Sequence, residues 1–320
     1  MSVKQAAQTK KESFSKFNWG NMAILFILAL LVIVLSIAEP MFLNWENIIN
    51  VIRQVTMVAI LGIGMTFVLL SGEIDLSVGS IAALAGIIVA TMLKSGMGIA
   101  LSILGALLVA AVCGAVNGTI HTYAKIPSFI VTLGMLNVAR GIVLVITNSY
   151  PITGLPDAFA VIGKGYVGPI PVPVIIMLVC YIIGYFVLKY TKFGRNAYAI
   201  GGNADAARLS GVPVKRNKVL FFTISGLTAG ITGIILASRM FSGQPSAANG
   251  MELDAIAACV IGGTSTTGGK GRLWGTLLGA LIMGIITNGM NLMNISTNWQ
   301  MIVNGAIIVV AVGLDKIKEH

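Results

Sequence analysis

Residues 50–94 read NVIRQVTMVAILGIGMTFVLLSGEIDLSVGSIAALAGIIVATMLK. Two apolar runs, 50–70 and 78–94, flank one short polar break. A helix that crosses ~30 Å of hydrocarbon needs ~20 mainly apolar residues, so each run is of membrane-spanning size. The break places Glu73 and Asp75 just ahead of the second run. A carboxylate there accepts bonds from unpaired backbone N–H groups and complements the helix dipole. The stretch therefore predicts membrane helices joined by a tight, acidic interruption.

The same ruler, carried outward, gives ten candidate spans: 22–38, 50–70, 78–94, 98–118, 127–146, 172–189, 219–238, 253–266, 273–290 and 299–314. The eighth is too short to cross alone. Composition agrees. Of the 320 residues, 56% are apolar and 10% charged, against about 25% charged in an ordinary soluble domain. Mean hydropathy is +0.92. A 320-residue interior cannot hide so much apolar surface from water, which leaves lipid as the solvent. The 38 glycines and 15 methionines suit helices packed closely in a bilayer. Disorder, a collagen-like repeat and a water-soluble globule are excluded.

The net charge of +10 lies in short clusters between apolar runs, the pattern that orients membrane proteins rather than one that binds nucleic acid. With an uncleaved first span and a cytoplasmic N-terminus, ten crossings put sixteen Lys and Arg residues on the cytoplasmic side. Among these are Lys4, Lys10, Lys11, Lys16 and Lys318. Only Arg53, Lys94, Lys164 and Arg239 fall outside, and Arg140 lies within a span. The bias predicts cytoplasmic termini (segment 1–20 at the N-terminal end), a cytoplasmic loop over 190–218 and an external loop over 147–171. Pro151, Pro156, Pro169 and Pro171 make that external loop a compact excursion. The chain reads as one transmembrane domain over 1–320.

Residues 250–258, GMELDAIAA, repeat the sense of 72–81, GEIDLSVGSI: Gly, then Glu-apolar-Asp, then an apolar helix. Five spans separate them, so the two halves would sit in opposite orientations, as in inverted-repeat transporters. The expected fold is all-α: about ten transmembrane helices in two inverted five-helix halves, some short or broken. Glu73, Asp75, Glu252 and Asp254 either cap helices or line and gate a polar path. Asn117, Asn288 and Asn291 either bond neighbouring helices or face that path. Gly114-x-x-x-Gly118 and Gly275-x-x-x-Gly279 allow close helix contact, within the bundle or between subunits.

Chemistry-bearing motifs are scarce. GGTSTTGGKGR (262–272) lacks the spacing of a Walker loop and reads as irregular backbone buried in protein. Cys113, Cys180 and Cys259 lie far apart in apolar stretches and read as small buried residues. His121 and His320 are isolated. No catalytic set, metal site or cofactor is expected, and a membrane enzyme is disfavoured. An ion-coupled secondary transporter is disfavoured too, because only Arg140 sits plainly inside a span. In the loop 191–219, Asn203 caps a predicted short helix over Ala204–Leu209 that Gly211 and Pro213 stop. It either lies along the membrane surface or docks a cytoplasmic partner.

Four stretches, GEIDLSVGS (72–80), FGRNAYAIGGNADAARLSGV (193–212), GMELDAIAACVIGGTSTTGGKGR (250–272) and NWQMIVNGAIIVV (298–310), resemble the permease subunit of bacterial ribose-type ABC importers. The resemblance runs over essentially the whole chain. It implies a permease in the bacterial cytoplasmic membrane, paired with a second copy about one pathway. It further implies an ATPase below and an extracytoplasmic sugar-binding protein above. On this resemblance Gly202, Asn203, Ala206 and Arg208, with Ser210 and Gly211, match the ATPase-coupling segment. Asp205 and Ala207 belong to the same short helix, with Ala207 expected in the packed contact.

Overall fold

The computed structural model describes residues 19–317. Lys4, Lys10, Lys11, Lys16, Lys318 and His320 lie outside the described residues. Each predicted run overlaps a helix: α1 (Trp19–Ala38), α2 (Trp45–Leu70), α3 (Val78–Lys94), α4 (Ile99–Ala124), α5 (Ser128–Thr147), α7 (Val172–Tyr190), α10 (Val214–Met240), α11 (Met251–Ile261), α12 (Leu273–Leu292) and α13 (Thr297–Ile317). The eighth run, 253–266, is helical only to Ile261, where Gly262 and Gly263 end it. Six of them, α2, α4, α5, α7, α10 and α12, are long and apolar enough to cross a membrane. The chain is a polytopic helical membrane protein.

α2 is the central post. Asn44 caps it, accepting from Glu46 N–H at 3.0 Å, and 83% of its most apolar window is buried in protein. The same measure is 22% for α4 and 17% for α5, so their apolar faces are left to lipid. α10 packs on α2, α3 and α4, and α2 packs in turn on α10, α11 and α12. Contacts recur in matched pairs: α3 with α4 and α11 with α12, α3 with α5 and α11 with α13. Both small-residue motifs serve these contacts. A side chain on Gly114 would strike the Phe222 backbone of α10, and one on Gly279 the Ala258 backbone of α11. They are therefore internal helix seams.

The connections gather at two ends. At one, residues 71–77, 121–128, 190–218 and 263–272 touch one another: Gly269 N–H donates to Leu70 O at 2.9 Å, and Tyr198 OH to Gly271 O at 3.0 Å. At the other, Ile152 and Gly243 form a β-bridge, and Ser238 Oγ accepts from Gly163 N–H at 2.7 Å. The excursion over 147–171 folds into a 3-10 turn (Asp157–Ala160), helix α6 (Val161–Lys164) and a minimal hairpin, β1 (Tyr166–Val167) with β2 (Ile170–Pro171). Phe159 anchors it, fully buried.

The cytoplasmic loop of the sequence reading is more ordered than expected. α9 (Ala204–Leu209) forms as predicted, with Asn203 Oδ1 accepting from Ala206 N–H at 2.9 Å and Gly211 at φ +84° beyond its end. The preceding segment is a helix as well, α8 (Lys192–Gly202), started by Thr191 Oγ1, which accepts from Gly194 N–H at 3.3 Å. Its packing explains it: Phe193 lies against Phe67 of α2 and Phe221 of α10, with ring centroids 5.8 and 4.8 Å away.

Of the three cysteines, only Cys259 is fully buried, its Sγ 3.5 Å from Thr66 Oγ1. Cys113 and Cys180 are half-buried, and all three are free thiols.

Candidate functional site

The stretch 71–77 climbs into the bundle. Glu73, near its start, pairs with Lys218 of α10 and with His121 Nε2 of α4 at 3.0 Å. Two residues on, Asp75 is fully buried. Its Oδ1 accepts from Ser77 N–H at 2.9 Å and Ser77 Oγ at 2.6 Å, and its Oδ2 accepts from Ser225 Oγ at 2.8 Å. Asn117 Nδ2 donates to Ser77 Oγ at 2.8 Å. Ser225 is the twelfth residue of α10, so at ~1.5 Å per residue Asp75 stands about 16 Å along that helix. α3 therefore starts within the bundle, not at its edge.

α11 starts inside from the other end. The segment 241–250 dips between helices, and Arg140 of α5 holds it there, donating to Pro245 O at 2.7 Å and Ala247 O at 3.0 Å. Arg140 lies seven residues short of the end of α5, about 10 Å of helix. The in-span arginine is thus a brace on backbone carbonyls. Glu252, buried, meets the start of α3: a side chain on Gly79 would collide with its carboxylate. Two helix N-termini converge in the interior, with Asp75, Ser77, Asn117, Ser225, Arg140 and Glu252 around them.

The capping expectation needs correction at both acids. Asp75 binds the N–H of Ser77, which precedes α3, and it ties three segments together rather than closing one helix end. Asp254 does not precede α11 but stands in its first turn, because the helix begins at Met251 after Gly250 at φ +81°. Its Oδ1 accepts from Asn304 Nδ2 of α13 at 3.2 Å. The two asparagines near the end of α12 lie apart from this group. Asn288 exchanges two amide bonds with Asn47, at 3.0 and 2.8 Å. Asn291 is exposed, and its Oδ1 accepts from Gln300 Nε2 at 2.8 Å.

Glu73 is the acid whose charge the fold secures. Burial works against its ionisation, but hydrogen bonds from His121 and Lys218, the Lys218 charge and the Ser128 hydroxyl prevail and hold the carboxyl down at about 2.

The α8–α9 unit presents a second feature. Asp205 and Arg208 pair at 3.3 Å on its exposed face, and Leu209 beside them is 83% exposed. Gly202, Asn203, Ala206, Ser210 and Gly211 are exposed too. Ala207 faces the other way, buried with Ile200 and Ala197 against the core. It supports the helix from beneath and offers no partner contact, contrary to the expectation. Below, Gly268 and Gly269, both at positive φ, press against Gly201 and Gly202. The 262–272 loop is thus irregular backbone that joins α8 to the end of α2, but it is only partly buried: Gly262, Thr264 and Ser265 are covered, while Gly263, Thr267, Lys270 and Arg272 are exposed.

Sequence reading missed the partners Ser77, Ser225, Lys218, Asn47 and Asn304. Most stand tens to hundreds of residues from the groups they bind, and a single sequence carries no signal for such pairs.

A family model described as "Branched-chain amino acid transport system / permease component" matches residues 47–312. The chain belongs to this permease family. It is 47% identical over 293 residues to ribose import permease protein RbsC of Bacillus subtilis, covering 91% of each chain. It is 44% identical over 313 residues to the protein of the same name from Haemophilus influenzae, covering 95% of this chain and 97% of that one. To the D-allose transport system permease protein AlsC of Escherichia coli the permease is 38% identical over 317 residues, 98% of this chain and 97% of the relative. No solved structure matches it.

Proposed function

We propose that the chain is the permease subunit of an ATP-driven ABC importer that carries ribose or a closely similar monosaccharide across the bacterial cytoplasmic membrane. The observation that carries this reading is the 47% identity to a ribose import permease over 91% of both chains. That tie is tighter than the 38% to an allose system, and it is narrower than the family's general description. The interior suits a neutral cargo: its acids are engaged by serines, an asparagine and backbone, not held as mid-membrane ion-coupling charges.

The remaining architecture belongs to the same proposal. Ten helices cross or enter the bilayer in two inverted five-helix halves, a reading supported by the matched contacts of α2–α5 and α10–α13. Broken helices at corresponding places in two halves mark a transport route. Both termini are cytoplasmic, so the end holding 190–218 faces the cytoplasm, which the basic bias supports. The exposed face of α9, with Asp205, Arg208 and Leu209, docks an ATPase subunit, and hydrolysis takes place there. A sugar-binding protein delivers cargo to the opposite end, and a second permease copy completes the membrane unit.

Uptake of labelled ribose into cells deleted for the chain, with and without its restoration, tests the function. Restored uptake that excess unlabelled ribose suppresses more strongly than excess allose is expected. Restored import of branched-chain amino acids without ribose would overturn it.

A further inference from the structure

At the end of the bundle that holds Glu73, the α4–α5 turn and the start of α10 flank an open cavity of about 330 Å³. Lys125, Lys215, Lys218 and His121 line it, with Thr122 and Ile126. Among the described residues, the one carboxylate paired with this group is Glu73, which engages Lys218 and His121. Lys125 and Lys215 bring further positive charge, and no acid among the described residues pairs with either.

The start of α10 makes the imbalance sharper. Its cap residue is Pro213, which supplies no side-chain acceptor, and its first turn holds no acid. Lys215 and Arg216 stand there instead, where the positive end of the helix dipole disfavours cations. Thr122 Oγ1 is buried among these groups without a hydrogen-bond partner. Lysines without an acid opposite and an unused hydroxyl, gathered at a helix start in one cavity, describe a receptor for an anion with several acceptor oxygens.

The rim says which anion. Lys215 lies over the Tyr123 ring at 5.2 Å, and Ile120, Tyr123, Ile126 and Phe129 beside the cavity are exposed apolar side chains. Apolar surface below and cations above is how a membrane protein meets the headgroup layer. We propose that this cavity binds the phosphate of an anionic phospholipid, with the acyl chains along the apolar faces of α4 and α5. It places the α10 start, and through Lys218–Glu73 the stretch leading to Asp75, under the influence of a bound lipid. The proposal takes its membrane depth from the helical reading above; the test below needs neither the sugar assignment nor the orientation.

The full-length permease in detergent is given dioleoylphosphatidylglycerol or dioleoylphosphatidylcholine, and retained lipid is counted by native mass spectrometry. Expected is preferential retention of the glycerol lipid by the wild type. That preference should fall roughly five-fold for each lysine removed, in Lys125→Gln, Lys215→Gln and the double variant, since one juxtamembrane cation is worth about that much for anionic lipid. Lys94→Gln, at the opposite end, should keep it. Thermal unfolding certifies the fold of each variant, and the single variants carry the test if the double one is unstable. Equal retention of the two lipids, or an unchanged preference in folded variants, overturns the site. Displacement of the lipid by inorganic phosphate at matching concentration overturns the lipid as occupant. Unchanged lipid retention with weakened ATPase assembly would hand the surface to a protein partner and equally overturn the proposal.

Discussion

Replacement of Asp75 separates a carboxylate that organises structure from one that gates by charge. Asp75→Ala leaves three buried donors without their acceptor: the Ser77 N–H, the Ser77 hydroxyl and the Ser225 hydroxyl. The N–H is fixed by the backbone and cannot seek another partner, a loss of about 1–3 kcal/mol for one buried donor. The hydroxyls rotate and recover part of theirs, so the whole change is worth roughly 2–5 kcal/mol. That is a large share of a total stability of about 5–15 kcal/mol. Asp75→Asn keeps an oxygen for both Ser77 donors, and the Ser225 hydroxyl turns to accept from the new amide, so the loss stays within about 1–2 kcal/mol. Folded yield, thermal unfolding in detergent, and ribose uptake per folded permease are measured for both variants. Asn mild and Ala severe, with uptake following the amount of folded protein, is the expected order. Equal loss of uptake in both variants, at unchanged folded yield and melting temperature, would refute the structural account and make Asp75 a charge gate.

Glu73 predicts an acid-labile contact. Its carboxyl is held below its ordinary 4.5, at about 2, so its contribution is complete above pH 4.5 and is lost as pH falls from there toward 2. Melting temperature in detergent should drop over that window in the wild type, and Glu73→Gln should be less stable at neutral pH and lose less on acidification; parallel curves would refute it. Single cysteines at the exposed positions Ala158 and Asp205, in a background lacking Cys113, Cys180 and Cys259, report sidedness. An impermeant thiol reagent on intact cells should label position 158 and spare 205, and the reverse pattern would invert the topology. Leu209→Glu should leave folding intact, since the side chain is 83% exposed, while reducing the ATPase stimulation of the reconstituted complex by at least ten-fold, as loss of a packed apolar anchor does. Full stimulation would remove Leu209 from the contact.

Sequence by itself located the main apolar helices, with ends displaced by up to six residues. Runs of apolar residues are a one-dimensional signal, and each of the ten overlaps a helix, six of them long and apolar enough to cross a membrane. Asn203 capping and Gly211 stopping α9 were equally legible, because a cap and a left-handed stop are local chemistry acting over a few residues. The acidic repeat stood out by its spacing, whereas a coupling role for 202–211 was implied only by the resemblance to ribose-type importers. α8 was not visible, since its order comes from Phe193 inserted between Phe67 and Phe221, residues far away in the chain. The direction of Ala207, toward its own core rather than outward, was likewise a matter of what lies beneath α9. Tertiary structure alone decided that α3 and α11 begin inside the bundle. The residues that allow it, Ser225 for Asp75 and Arg140 for the carbonyls of Pro245 and Ala247, stand 150 and 105–107 positions from their partners. A buried polar group must find its acceptor or donor wherever the fold puts one, and that place is a property of the packed helices, not of the neighbouring letters.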